Sequence, residues 1–447
     1  MKNEMKVYWL NLIRSIVSYI PVLGILLIIM SFPFGYNVFE RIGHYMLGTG
    51  FVLDYVLNKR WLDWYWSRSK LVYIAMLLIY ILMPLWQIWD PTPPTNYFIR
   101  LMERYMMFLA IGIIGILGFS DKLRLKYIGY AMLLTSCVMF FVNLYLYLSK
   151  YGIANFNVEV FNHIRAIHIN SHMVVNLYVN TALIIGAYLF KNNTNIWVRV
   201  LLAITMLIAA GYVLLSVGRV GYVTLLLIVF IYAIYTIWQY RRFRWVIVSF
   251  LIVVLPALFL RHNRLGVEEV LRDPRFAVWD YSVRMIKKHP ILGYGLSTLS
   301  VEYVDGMYED EKAYNYFVKP VMSQPSFAAL KKTMITHHPH NALLMMYLSF
   351  GIIGLMLLLF LCTAIALIPT PNLKIYVWLF LLALFVQMQF EPLGDHIQPQ
   401  FIAILLLCFQ KESSHYKSED SYFNDTPISF FGIFGNSQCS NSQYNKE

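Results

Sequence analysis

The sequence predicts an all-α polytopic membrane protein with about twelve transmembrane helices and one large external loop that contains amphipathic helices. Hydrophobic residues make up 59% of the 447 residues, charged residues make up only 13%, and the mean hydropathy is +0.57. A soluble core cannot bury so large an apolar fraction without leaving extensive apolar surface in water. The apolar residues also fall into separate runs, each close to the roughly 20 residues that cross a bilayer as a helix.

The apolar runs divide the chain into four regions. Nine spans form an N-terminal membrane region over 1–261, a large external loop covers 262–341, further spans lie within 342–410, and a polar tail covers 411–447. The second span contains Asp54 and the last is short, so these two have the weakest pattern. The spans are predicted at 8–31, 43–58, 71–89, 104–120, 127–148, 172–190, 200–216, 220–239, 245–261, 342–367, 375–390 and 397–410.

Basic residues in the short connectors predict the orientation, because Lys and Arg in such loops favour the cytoplasmic side. They follow the second, fourth, sixth and eighth spans, which makes both chain ends cytoplasmic and the loop over 262–341 external. The net charge of +12 follows in part from this bias. Membrane lipids are therefore expected partners, and no nucleic acid is needed to explain the charge.

Cysteine usage gives no support for redox or metal chemistry. Three cysteines lie in apolar spans and Cys439 lies in the tail, so no pair has the spacing of an external disulfide framework or a metal site. We expect no cofactor and no metal.

The large loop contains one clear amphipathic helix. Asp273-Pro274 is a typical helix start, His289-Pro290 ends the helix, and Gly293 and Gly295 mark a turn after it. Apolar residues recur at helical spacing between these signals, on a stripe that we expect to rest on the membrane surface. The stripe consists of Phe276, Trp279, Val283 and Ile286.

Two arginines are predicted at the external ends of helices. Arg275 lies in the first turn of the loop helix, and Arg219 lies in the tight turn between the seventh and eighth spans. Guanidinium groups bind phosphate through paired donors, so both positions suit a diphosphate-bearing lipid. The alternative for either arginine is a side chain that reaches ordinary lipid phosphates.

A histidine cluster closes the large loop where it enters the next span. His340 is a candidate general base, since a neutral imidazole can take the proton of a hydroxyl as that hydroxyl attacks. His338 and Asn341 are candidates for supporting it. The alternatives are a structural helix cap or a zinc site, although adjacent ligands around Pro339 do not give a usual zinc spacing.

The order of these motifs resembles the O-antigen ligase and polymerase superfamily over roughly residues 200–395. His340-Asn341, nine residues and then Gly351-Ile352-Ile353-Gly354 are similar to its His-Asn-x9-Gly-x-x-Gly signature. Ser216 to Gly221 resembles its arginine turn, and Arg275 to Gly295 resembles its Arg, Trp, His-Pro and Gly-x-Gly stretch. Val223 departs from the leucine of some ligases.

The resemblance implies a metal-independent glycosyltransferase of the bacterial inner membrane whose active site faces the periplasm. Such enzymes pass a glycan from undecaprenyl diphosphate to a hydroxyl of an acceptor, which in the ligases belongs to the lipid A core. Carried over by position, His340 is the catalytic base, and Arg219 and Arg275 bind the diphosphate.

Three alternatives stay open. A polymerase would use a second lipid-linked repeat unit as acceptor, and a protein O-glycosyltransferase belongs to the same superfamily. A flippase or other transporter is the alternative from a different class. A transporter would place polar groups along a path through the middle of the membrane, whereas the informative residues here lie at one face.

Overall fold

The computed structural model describes residues 2–34, 38–63, 66–152, 172–216, 218–239, 273, 275–319, 339–368, 372–390 and 398–420. These residues form helices and turns and contain no β-strand. The main helices are α1 (Lys2–Ser31), α2 (Val38–Leu57), α3 (Leu71–Gln87), α4 (Asn96–Leu117), α5 (Leu125–Tyr151), α6 (His172–Asn192), α7 (Ile196–Leu214), α8 (Arg219–Gln239), α9 (Arg275–Lys288), α10 (Leu296–Glu309), α11 (Ala342–Ala366), α12 (Lys374–Met388) and α13 (Gln398–Asp420).

A helix occurs at every predicted span except 245–261, which lies outside the described residues. Within the described residues, 7 helices are long and apolar enough to cross a membrane by length and composition, and α12 is a shorter apolar helix. Large apolar side chains such as Leu207 and Trp197 are exposed on the outside of the bundle, where lipid would cover them. The chain is a multi-pass membrane protein. The number of twelve spans, the orientation and the four-region division stay predictions.

Asp54 is buried between helices in spite of its charge. Its carboxylate accepts hydrogen bonds from Ser18 Oγ on α1 at 2.5 Å and from Asn58 Nδ2 at 2.7 Å, and it pairs with Arg60 Nε at 3.3 Å. A buried charge is tolerated when it is paired and hydrogen-bonded in this way. Asp54 therefore joins α1 to α2 rather than marking the end of a span.

The helix α11 is broken in its middle at Gly351. The backbone there has φ +59° and ψ −150°, which is not helical. In a regular helix, residues eight apart are separated by about 12 Å. A Cβ built on Gly354 would nevertheless lie 2.5 Å from the carbonyl oxygen of Met346, eight residues earlier. The single span predicted over 342–367 is therefore two helical segments that meet at a sharp angle.

The glycine-bearing turn after α9 satisfies the backbone groups that this break releases. An unbroken helix would pair Ile352 N–H with Leu348 O. Instead, Ile352 N donates to Ile291 O at 3.2 Å, and Leu348 O accepts from Tyr294 N at 2.7 Å. Gly295 N likewise donates to Ser349 O at 2.9 Å. Buried backbone N–H and C=O groups need hydrogen-bond partners, and here the turn supplies them.

The loop helix α9 forms where the sequence predicts it, and the predicted apolar stripe lies on its outer side. It begins at Arg275, whose backbone N–H donates to Asp273 Oδ1 at 3.0 Å, and it ends at Lys288. Phe276 and Val283 of the predicted stripe are exposed. The buried face packs against α10 and α11 and consists of Ala277, Val278, Tyr281, Ser282 and Met285.

We predict that Gly351→Ala strongly destabilises the protein. A Cβ at this position would lie 2.0 Å from Ile291 O, and the positive φ alone costs an L-residue about 1–2 kcal/mol. Together we expect a loss of about 3 kcal/mol or more, measured as a fall in melting temperature of the purified protein in detergent.

The matched control is Gly211→Ala on α7, where a Cβ would meet nothing within 4 Å. Alanine favours a helix over glycine, so this variant should melt at the native temperature or slightly above it. Equal melting temperatures for the two variants would contradict the interlock of α11 with the turn.

Candidate functional site

The first segment of α11 places His340 at its entrance in an unusual backbone conformation. His340 is half-buried and has φ +49°, in the left-handed region that non-glycine residues rarely adopt. Asn341 follows as the N-cap, and its Oδ1 accepts from Leu344 N at 3.0 Å. Strained backbone of this kind is often retained at functional sites. Of the predicted histidine cluster the structure describes only Pro339 and His340, and His340 has this conformation.

Asn341 also connects the start of α11 to the end of α12. Its Nδ2 donates to the backbone oxygen of Gln389 at 3.2 Å, and the side chain is 6% exposed. A buried amide that caps one helix and bonds to another fixes their relative position. Asn341 thus holds the start of α11 against the end of α12, directly after His340, and its supporting role in the reaction stays a prediction.

Arg275 is brought to the same end of the bundle through two aromatic rings. Its guanidinium carbon lies 5.7 Å from the centre of the Phe390 ring, and Phe390 follows Gln389 in the chain. The Trp279 ring lies 6.0 Å from Phe390, and Trp279 Nε1 donates to Pro339 O at 2.9 Å. Pro339 directly precedes His340. We call the residues Arg275, Trp279, Pro339, His340, Asn341, Gln389 and Phe390 the entrance cluster.

The start of α8, which carries Arg219, lies at the level of the entrance cluster. Tyr232 of α8 and Tyr376 of α12 meet with their hydroxyl oxygens 3.4 Å apart. The Tyr376 ring, near the start of α12, lies 5.3 Å from the Tyr188 ring near the end of α6, and Lys191 there bonds to Gln239 at the end of α8, so α8 and α12 run in opposite directions. Arg219 lies thirteen residues before Tyr232, and Gln389 lies thirteen residues after Tyr376, so both lie about 20 Å from this contact on the same side of it. The Arg219 backbone is described, whereas its side chain lies outside the described part of the chain.

Two buried asparagines of α6 contact the first turn of α8, one through a hydrogen bond and one through close packing. Asn180 Nδ2 donates to Gly221 O at 3.0 Å, and a Cβ on Gly221 would lie 2.3 Å from Asn176 Nδ2. Both asparagines are completely buried. An amide group inside a helix bundle joins helices through such a bond, as Asn180 does here. Asn176 sets how closely α8 approaches α6 through the space that its side chain fills.

Charged groups fasten α9 to the segment after α10. Arg284 bonds to Asp280 Oδ2 and to Asp310 Oδ2, each at 2.6 Å, and Lys312 Nζ lies 2.8 Å from Asp280 Oδ2. Hydrogen bonds from Lys312 and Arg284, together with their charges, lower the pKa of Asp280 below its usual range. The carboxylate therefore stays ionised at any physiological pH, and the network joins α9 to residues 310 and 312.

The structure thus brings together His340, Asn341 and Arg275, and it places the backbone of Arg219 at the same level. His338 lies outside the described residues. Among the described residues, no group of three or more His, Cys, Asp or Glu is arranged to hold a metal ion. Sequence reasoning missed Gln389 and Phe390. Their only signal was their position at the end of a predicted span.

One segment of the chain matches a known protein family. Residues 204–359 match the family model described as O-antigen ligase. Over these residues the chain is similar to O-antigen ligases. The match covers about a third of the chain and confirms the resemblance predicted from the motifs. A comparison with curated proteins finds no relative that matches.

The O-antigen ligase-like segment contains Arg219, Arg275, His340 and both glycines of the α11 break. Gln389 and Phe390 lie beyond it, so the entrance cluster extends past the matched residues. The family implies a glycosyl-transferring membrane enzyme that acts on a lipid-linked glycan and a glycan acceptor.

We predict that Trp279→Phe lowers the rate of glycan transfer about five- to tenfold at nearly normal abundance. The phenyl ring keeps the contact with Phe390, but Pro339 O loses its indole donor, so the backbone before His340 is held less firmly. One neutral hydrogen bond is worth about 1 kcal/mol, which corresponds to the lower end of this range.

The measurement is initial transfer rate against substrate concentration, with kcat and KM separated. A positioning role predicts a fall in kcat with little change in KM. Trp197→Phe, at an exposed indole of α7, is the control and should keep the native rate. A native kcat for Trp279→Phe would show that this hydrogen bond does not position His340.

Proposed function

We propose that the protein transfers a glycan from undecaprenyl diphosphate to a hydroxyl of the lipid A core at the periplasmic face of the bacterial inner membrane. The observation that carries the proposal is the entrance cluster, in which His340 and Arg275 occur together at the end of a membrane helix bundle. The O-antigen ligase-like match over the same segment supports it.

In the proposed reaction, His340 takes the proton from the acceptor hydroxyl. The hydroxyl oxygen forms a bond to the anomeric carbon of the glycan, and the bond from that carbon to the diphosphate oxygen breaks. The electron pair leaves with the diphosphate, which remains on the polyprenyl carrier. General-base assistance of this kind contributes about 10²- to 10⁴-fold in rate.

Arg275 and Arg219 are proposed to bind the diphosphate. Guanidinium groups remain charged and offer paired donors to phosphate oxygens, so they stabilise the negative charge that develops as the carrier leaves. Phe390 beneath the Arg275 guanidinium contributes a cation–π contact that orients it. These two positive charges suffice for the leaving group in this scheme, and it uses neither a metal nor a nucleotide.

The location of the cluster supports a substrate that is anchored in the bilayer. The diphosphate of a lipid carrier lies at the headgroup level, and the entrance cluster lies where α8 and α11 begin and α12 ends. A reaction at this level needs no passage of the glycan through the bundle. This placement favours transfer over transport, because a transporter requires polar groups along the membrane interior.

Deletion of the gene tests the proposal. We expect full-length glycan to accumulate on undecaprenyl diphosphate while the lipid A core remains bare, measured by separating and sizing the two pools. Lipid A core capped with single repeat units would identify a polymerase instead. Unchanged lengths and amounts in both pools would contradict glycan transfer.

Complementation with His340→Asn tests the base separately from the fold. Asparagine tolerates the left-handed backbone better than other non-glycine residues but cannot accept the proton. We expect normal abundance with transfer reduced about 10²-fold or more, measured in membranes from the complemented strain.

His340→Ala is the comparison variant. It also removes the imidazole base, and in addition it strains the left-handed backbone at residue 340. Substantial activity in His340→Asn, together with low abundance of His340→Ala, would mean that residue 340 acts as a structural cap and not as a base.

A further inference from the structure

A cavity lies beside the glycine-bearing turn, away from the entrance cluster. Its volume is about 490 Å³, within the range of small-ligand sites. It lies between the end of α3 and the start of α10, and the turn over 292–295 forms one side. The residues around it that can contact a ligand through rings or polar groups are Trp86, Trp89, Asp90, His289, Tyr294 and Glu302.

Aromatic rings form the walls of this cavity and are held in place. Trp86 Nε1 donates to Leu292 O at 2.9 Å, and the Trp86 and Trp89 rings meet edge to face at 6.3 Å. On the other side, the His289 and Tyr294 rings lie 4.5 Å apart. Trp89 is nevertheless 72% exposed, so its ring is available for contact from outside.

The two carboxylates of the cavity differ in what they can still bind. Asp90 is occupied by α10: it accepts from Ser297 N at 2.9 Å and from Thr298 Oγ1 at 2.5 Å, and so serves as a cap for that helix. Glu302 is exposed and lies close enough to Tyr294 for its charge to add to the effect of burial in raising the pKa of that phenol. Glu302 therefore supplies an accessible acceptor at the cavity edge.

The charge of the cavity excludes a second diphosphate site. Asp90 and Glu302 are acidic, and no lysine or arginine occurs among the described residues that line the cavity. A phosphate would be repelled here, and an acyl chain would bury a carboxylate against hydrocarbon at considerable cost. A ligand with apolar ring faces and hydroxyl donors fits both the aromatic walls and the acceptor.

We infer that this cavity is a saccharide-binding subsite. A sugar ring would place its apolar face on the exposed Trp89 ring and donate hydroxyl hydrogen bonds to Glu302. This inference rests on the proposed glycan transfer. The sugar belongs to one of two chains, the carrier-linked glycan or the acceptor, and both present the same chemistry to the cavity.

The distance from His340 indicates which part of the glycan the subsite holds. The turn bonds to Leu348 and Ser349, which lie eight and nine residues after His340, about 12–14 Å along the first segment of α11. His289 likewise lies fourteen residues after Arg275, about 20 Å along α9 and its end. The subsite therefore holds a sugar remote from the reacting bond. Binding there holds the chain equally before and during the reaction, so its loss changes KM rather than kcat.

The test uses Trp89→Ala and Glu302→Gln in proteoliposomes, with purified carrier-linked glycan and purified acceptor varied in turn. Each variant should raise the apparent KM for one substrate about three- to tenfold and leave kcat within about twofold. The substrate whose KM changes identifies the chain that occupies the subsite. Trp89→Tyr should have a KM close to the native value, because tyrosine keeps an aromatic face.

Two neighbouring substitutions serve as matched controls. Ile88→Ala changes a side chain that is 71% exposed and precedes Trp89 but does not line the cavity. Glu309→Gln removes a carboxylate from the exposed surface of the same helix, α10, seven residues after Glu302. Both control variants change exposed side chains outside the cavity, so both should keep the native KM for both substrates.

The outcomes separate the subsite from the proposed reaction. If His340→Asn abolishes transfer while Trp89→Ala and Glu302→Gln keep both native KM values, the subsite is wrong and the reaction stands. A Trp89→Ala variant that loses only membrane insertion would likewise overturn the subsite and make Trp89 an interfacial anchor.

If the native protein shows no transfer, binding is measured directly. The probes are the lipid-free oligosaccharides released from the carrier-linked glycan and from the acceptor, observed by saturation-transfer NMR with protein in nanodiscs. Binding that Trp89→Ala weakens and Ile88→Ala does not would support the subsite without the proposed reaction. Absence of binding by both oligosaccharides would overturn it.

Discussion

The exchange of backbone hydrogen bonds between the broken helix α11 and the turn over 291–295 is the constraint on which the site depends. A helix that breaks inside a membrane bundle must find new partners for its released N–H and C=O groups. Ile291 O of the turn accepts a hydrogen bond from α11, and backbone N–H groups of the turn donate to Leu348 O and Ser349 O. The backbone groups of neither element are therefore satisfied without the other. Because the turn follows α9 directly, the same exchange sets where α9 lies relative to the start of α11.

The alignment of these two elements explains how distant parts of the chain form one site. Arg275 begins α9 and His340 precedes α11, and the bond from Trp279 to Pro339 holds these starts together. At the far ends of the same segments, the turn and the aromatic cavity lie together. The loop helix therefore serves as a rigid spacer, and its ionic contacts with Asp310 and Lys312 keep it in register. Rigid elements of this kind hold reacting groups more accurately than free loops do.

Much of this organisation is predictable from the sequence, because helix spans depend on local apolar runs and the site motifs depend on residue type. The break in α11 was not predicted. Gly351 and Gly354 were recognised as part of a signature, but a long apolar run conceals a change of direction that only a partner segment makes possible. The face of α9 that packs against the protein was not predicted either, since the obvious apolar stripe with Phe276 and Val283 is exposed and the buried face is less apolar. Gln389 and Phe390 escaped notice because their partners are distant in the chain.

The close approach of Asn176 to Gly221 couples the sizes of two side chains on different helices. The amide of α6 fills the space that a methyl group on α8 would need, so no larger residue fits at 221 while asparagine stands at 176. Residues in such contact do not change independently. Among related chains, volume gained at one position should be matched by volume lost at the other. The summed volume of residues 176 and 221 in a related sequence then indicates how closely the start of α8, with its arginine, approaches α6.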